Sequence, residues 1–275
     1  MKISDIQRFD QSVQKLKEII HTSTSAKTML QWYIDTNSVL THGRTSGNVN
    51  GFQIVQNLDN RLPTNTPIFI HEYADTIIEN VTGHPYRSSS LFTYKNDLDD
   101  LVDGRFIVIP IGNNLSCMAI NNVRDFYHSI SRTYVDVAAL VSEQVEHLFE
   151  IRPKMSSSIS SGVIKYITSQ EKDGEPEERS VFAINALKEL TPELSKYLQS
   201  DNFIRVIHNA MFNEVDELLK DITTINTVGD YERVDDEEIH IYSQQYILIG
   251  TGWFENLCDR LNLSARGLLE TLLNE

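Results

Sequence analysis

The chain has 275 residues, 40% of them hydrophobic, with 24 Lys+Arg against 39 Asp+Glu and a formal charge of −15. No run approaches the ~18 consecutive apolar residues of a membrane span, the N-terminus lacks the apolar core of a signal peptide, and so strong an excess of acids repels duplex nucleic acid. A cytoplasmic protein without membrane or general nucleic-acid affinity is the expectation, and two distant cysteines, Cys117 and Cys258, fit no metal spacing and read as buried thiols.

In chain order, Ile3, Ile6, Phe9, Val13, Leu16 and Ile19 recur at three- and four-residue steps, which predicts an amphipathic helix with Ser4 as its cap. A second helix is expected over Ser25–Ile34. "SVLTHGRTSGNVNGF" breaks the helical period and predicts a short strand over Val39–His42 feeding a glycine-containing loop. "NTPIFIHEYADTIIENVTG" predicts a helix capped by Thr66, with Pro67 in its first turn and Gly83 at its left-handed exit. "YRSSSLFTY" and "RFIVIPIG" read as strands on either side of the acidic "KNDLDDLVDG". Helices are expected over Asn122–Ile130 and Tyr134–Phe149. Polar composition predicts loops at "RPKMSSSISSG" and "SQEKDGEPEERS" within 152–180. Helices resume through Val181–Lys220, with a start at Thr191-Pro192-Glu193. The hairpin-like "EIHIYSQQYILI" and a helix over "LSARGLLETLLNE" close the chain.

Scattered strands among helices, without βαβ alternation, predict a single α+β domain and argue against a doubly wound sheet. Its parts are N-terminal helices (1–36), a sheet core (37–120 and 226–252), a mainly helical insertion (121–225) and a C-terminal helix (253–275).

No GxGxxG, GxxxxGK[ST] or GxSxG occurs, so the loops that hold dinucleotides and triphosphates and the common hydrolase elbow are not indicated. "HEYAD" (His71–Asp75) begins like a zinc helix but has Asp at the second ligand position and no identifiable third ligand; a helix surface is the plainer reading. Glu143, Glu146 and Glu150 share a helix face that reads as solvated.

Three segments place chemistry on strands. In "DDEEIHIY", alternation puts Glu238, His240 and Tyr242 on one face and Ile239 and Ile241 on the other, with Asp236 continuing the Glu238 face upstream. A carboxylate fixed on a strand beside a second on the adjoining loop suits stabilising a cationic sugar while guiding an acceptor. "LTHGRT" brings His42, Gly43 and Arg44 to a strand end where glycine lets a ligand approach the backbone. "YRSSSLFT" brings Arg87 as an anion clamp, hydroxyls at Ser88, Ser89 and Ser90, and Phe92 as a stacking ring.

Taken in order, an opening strand with His-Gly, a middle serine-rich strand with an aromatic, and a late acid-x-Glu strand resemble the ADP-ribosyltransferase superfamily. "YRSSSLF", "VIPIG" and "VRDFY" also resemble segments of uncharacterised proteins encoded by tailed phages. The resemblance implies a split β-sheet core with a large helical insertion, NAD as substrate, and a host macromolecule as acceptor. By resemblance Glu238 is the catalytic glutamate that contacts the ribose 2′-hydroxyl, and Asp236 orients the acceptor. His42 and Gly43 hold the nicotinamide half, Arg44 or Arg87 the pyrophosphate, Ser88–Ser90 support the pocket and Phe92 stacks. The sequence departs from the family in having Asp236 where Glu or Gln is usual, Ser-Ser-Ser for Ser-Thr-Ser, and Phe92 where polymerase-type members carry Tyr. These departures keep a second expectation open: a non-catalytic interaction protein on a degenerate version of the fold, a host-factor inhibitor or virion component. Its acidic surface would complement a basic partner.

Overall fold

The computed structural model describes residues 3–43, 51–57, 61–63, 65–149, 156–169, 200–235 and 237–274. They form an α+β protein whose strands pair antiparallel throughout. Two compact units share the chain. One holds residues 1–59, 89–124 and 222–275, the other residues 60–88 and 125–221.

The first unit carries an eight-stranded sheet: β1 (Ser38–Gly43), β2 (Phe52–Gln56), β3 (Leu91–Asp97), β4 (Arg105–Ile111), β5 (Ser116–Ile120), β6 (Ile222–Ile225), β7 (Glu238–Tyr242) and β8 (Gln245–Gly250), in the order β2-β8-β4-β1-β3-β7-β5-β6. β1 is the joint of this sheet. It pairs with β3 over Ser38–Thr41 and with β4 over Thr41–Gly43, so Thr41 has a strand partner on each side. β2, β5 and β6 are strands that the sequence pattern does not announce, and β6 belongs to the sheet rather than to the helical insertion expected over 121–225.

The expected hairpin of "EIHIYSQQYILI" does not form. β7 pairs with β3 and β5, while β8 pairs with β2 and β4, so both edges of each strand are already occupied. The corner between them is fastened by Tyr246, whose hydroxyl accepts the Ser243 N–H (3.0 Å) and donates to the Ile241 carbonyl (2.7 Å). Ser243 Oγ donates to the Ile111 carbonyl at 2.7 Å, tying the corner to the end of β4.

Helices Ile3–Thr22, Thr24–Thr36, Val228–Arg233, Thr251–Leu261 and Ala265–Asn274 belong to the same unit. Ser4 lies inside the first helix and is not its cap. Ser23 caps the second: its Oγ accepts the Ala26 N–H at 3.1 Å, an arrangement worth about 1 kcal/mol. The C-terminal region is two helices, parted where Asn262 turns left-handed at φ 53°. The core joins Leu30, Tyr33, Leu40, Val108, Ile239, Ile247, Phe254 and Leu268, all fully buried. Tyr33 pins the Thr24–Thr36 helix to β4 by donating to the Val108 carbonyl at 2.5 Å.

The second unit is helical in its described part: Ile68–Thr82, Phe126–Arg132, Tyr134–Phe149, Ser156–Ser169 and Ser200–Leu219. Gly83 makes the expected left-handed exit at φ 80°, but the cap position is Pro67, not Thr66, and no side chain caps that end. Asn122 adopts φ 62°, so the next helix starts later, at Phe126, with Asp125 accepting the His128 N–H. Ser156–Ser169 corrects the loop expected at "RPKMSSSISSG". Ile159, Val163, Tyr166 and Ile167 bury one helical stripe that the serines around them obscure. Apart from Ser169, which ends that helix, "SQEKDGEPEERS" and the Thr191-Pro192-Glu193 start lie outside the described residues. No described helix is long and apolar enough to cross a membrane.

Candidate functional site

The acid run Asp235–Glu238 ends where β7 begins because its third member is used by the turn. Glu237 accepts the Asp235 N–H through Oε2 at 2.8 Å and the Asn122 N–H through Oε1 at 3.3 Å. The Glu238 N–H then donates to the Val123 carbonyl at 3.1 Å, and the strand is under way. Lys95 holds the approach from the other side. Its ammonium donates to the carbonyls of Tyr231 (3.2 Å), Glu232 (3.0 Å) and Val234 (2.8 Å) at the end of the Val228–Arg233 helix.

Alternation along β7 runs as the sequence predicts. Ile239 and Ile241 enter the core, while Glu238 stands opposite Tyr94 and His240 opposite Phe92 on β3. Tyr94 OH donates to Glu238 Oε2 at 3.2 Å. His240 Nε2 lies 2.9 Å from Glu238 Oε1, at ion-pair separation but off the hydrogen-bond axis. On the other side of the ring, Nδ1 is 3.3 Å from Ser90 Oγ. Phe92 packs on the imidazole with centroids 4.5 Å apart. His42, at the end of β1, joins through its Nδ1, 2.8 Å from the Phe92 carbonyl. Glu238 is only 6% exposed and His240 is fully buried, so the carboxylate sits in a weakly screening environment where a nearby charge acts strongly.

Of the residues singled out from the sequence, His42, Ser90, Phe92 and Glu238 thus fall on one connected cluster of the sheet unit. Gly43 is the exposed last residue of β1, opposite Arg105 on β4. Ser89 is buried and contributes its carbonyl to Asn57 Nδ2. Arg44 and Asp236 lie outside the described residues. Arg87 and Ser88 are not on a strand: Tyr86–Ser89 is a short helix, Ser90 is a bend, and β3 begins only at Leu91. The cause is Asp75, which accepts the backbone N–H of Arg87 (2.9 Å) and of Ser88 (3.2 Å) and so turns the chain. Arg87 and Ser88 belong to the second unit, where the Arg87 guanidinium lies 3.9 Å above the Phe126 ring.

Sequence reasoning did not single out Tyr94 or Arg105, and it gave His240 no role. Tyr94 could have been found from the Phe-x-Tyr alternation that puts it two residues from Phe92. Arg105 Nη1 donates to Thr41 Oγ1 and Asn96 Oδ1, both at 3.3 Å, which supplies a cation on the strand beside Gly43.

In the second unit, burial, and after it the charge of Arg87, drives the His71 imidazole from its ordinary range down to about 4. The folded unit therefore keeps His71 neutral, whereas the unfolded chain protonates it near pH 6.5. Stability from this residue is complete above pH 6.5 and falls as pH drops toward 4, by up to about 1.4 kcal/mol per pH unit. Urea denaturation followed by far-UV circular dichroism between pH 7 and 4 is expected to show this loss. The slope should shrink by close to one proton in His71→Gln; an unchanged slope would assign the proton uptake elsewhere, burial having also lowered the His208 pKa.

No protein-family model, no curated protein and no solved structure matches this chain.

Proposed function

We propose that the chain is an NAD-dependent mono-ADP-ribosyltransferase that works from the β3–β7 ladder of its sheet unit. The observation that carries this reading is the meeting of the three sequence segments on adjacent strands. His42 on β1 bonds to Phe92 on β3, and Phe92 and Tyr94 face His240 and Glu238 on β7. Glu238 is a nearly buried carboxylate on a rigid strand, suited to stabilising positive charge on the ribose as nicotinamide departs. The Tyr94 hydroxyl fixes one of its oxygens. Phe92 offers an aromatic surface next to the strand end at Gly43, and Arg105 a cation for the pyrophosphate. The acceptor is a host macromolecule in the host cytoplasm, a protein side chain first and nucleic acid second, following the resemblance to phage-encoded proteins.

The burial of Glu238 against His240 favours one competing reading, in which the pair is structural and the chain binds a basic partner without catalysis. Nicotinamide release from NAD by the purified chain, run with host lysate as acceptor and beside a thermal-shift titration, separates the two. Transfer predicts release, and a melting temperature that climbs with NAD. A ligand at about 100 times its Kd adds about 2.7 kcal/mol. Absence of both results would leave the binding protein.

A further inference from the structure

We propose that His240 is a positioning residue that sets the orientation of the Glu238 carboxylate and relays to it the fixed position of Ser90; the inference rests on the transferase reading above. Three buried side chains stand in line. Ser90 is 4% exposed, His240 has no exposure, and Glu238 is 6% exposed. Ser90 Oγ lies 3.3 Å from Nδ1 of the ring, and Glu238 Oε1 lies 2.9 Å from Nε2.

The order of these contacts decides where the proton is. A tautomer with hydrogen on Nδ1 alone would aim the Nε2 lone pair at a carboxylate oxygen. With Ser90 donating to Nδ1, or with both nitrogens protonated and Ser90 accepting, Nε2 carries a hydrogen on the side of the ring that faces Glu238, at ion-pair separation though off the hydrogen-bond axis. Either arrangement leaves Oε2 to Tyr94, so one carboxylate oxygen accepts a hydrogen bond while the other faces the imidazole at 2.9 Å. Phe92 packs against one side of the imidazole at 4.5 Å, from its place opposite His240 in the strand register. The serine therefore acts on the carboxylate at second hand, with an imidazole between them. Misplacing a catalytic group by about 1 Å costs on the order of 10²-fold in rate, so the relay is worth that much to the reaction.

Two substitutions divide the ring. His240→Gln can place an amide N–H where Nε2 stood and keeps a donor group facing Glu238. His240→Asn keeps a polar group near Nδ1, facing Ser90, and loses that donor. In steady-state NAD cleavage, H240N is expected to lower kcat by about 10²-fold with little change in KM. H240Q should stay within about 10-fold of the wild type. Equal loss in the two variants would overturn the inference while leaving the transferase reading intact. No nicotinamide release from the wild type would overturn that reading and the positioning role of His240 with it. Side-chain ¹⁵N NMR reads the coupling without activity. The His240 signal, assigned by its disappearance in H240Q, should report a protonated Nε2 that shifts in Glu238→Gln and again in Ser90→Ala. An Nε2 without a proton, or one indifferent to both changes, would overturn the relay.

Discussion

Glutamine in place of Glu238 is expected to lower nicotinamide release from NAD by about 10²–10³-fold, the scale of losing one preorganised electrostatic group at a reacting centre. The substitution is nearly isosteric, so it separates charge from packing. The amide can still accept from Tyr94, while the negative charge that faces His240 is gone. Removing one partner of a buried ion pair costs about 3–5 kcal/mol when the other charge is stranded. Here the partner is an imidazole rather than a permanent cation, and glutamine keeps the volume of the site, so the expected cost lies below that range. Activity and melting temperature should therefore part company: a large fall in rate on a protein that still folds. A fall in melting temperature matched by intact NAD cleavage would make Glu238 structural and assign the chemistry elsewhere.

The second large effect concerns stability. Tyr33→Ala should lower the unfolding free energy of the sheet unit by about 3–5 kcal/mol, the usual result of emptying a buried aromatic site. Tyr33 is fully buried, and its ring stands 6.2 Å from that of Tyr231, on the helix that leads into β7. Tyr33→Phe, which removes only the hydroxyl that donates to Val108, should cost about 1 kcal/mol. Both tryptophans, Trp32 and Trp253, lie in this unit, and Trp32 stacks on Tyr231 at 5.8 Å, so urea denaturation read by fluorescence follows the unit directly. A loss for Tyr33→Ala no larger than that for Tyr33→Phe would mean that the ring contributes little and the hydroxyl most of the effect.

What the sequence disclosed was local periodicity. Glu238 and His240 could be placed opposite the core face because strand alternation fixes it within five residues, and β1, β3 and β4 were visible as apolar or mixed strand runs. Gly83 was legible as a helix exit, since its backbone conformation there favours glycine. What stayed hidden was set by distant partners. Arg87 looked like a strand residue, yet Asp75, on another helix, captures its N–H and winds the chain into a turn. Two strands separated by Ser243-Gln244 carry the same signal whether they fold onto each other or part. Here the neighbouring edges are taken by β3, β5, β2 and β4, which no local pattern records. The cluster was half visible: the sequence supplied His42, Ser90, Phe92 and Glu238. Tyr94, placed by the β3–β7 register, and the use of His240 as their link emerged only when the strands were aligned.

The position of β8 between β2 and β4 has a consequence for how the chain comes into being. During synthesis β2 and β4 leave the ribosome long before residues 245–250 exist to join them. Until then each presents an unpaired edge, and unpaired edges invite pairing with other chains. The sheet closes only when residues 245–250 are available, through contacts of high sequence separation, the kind that slow folding most. β7, with Glu238, is also made late, so the candidate site is assembled in the same closing step.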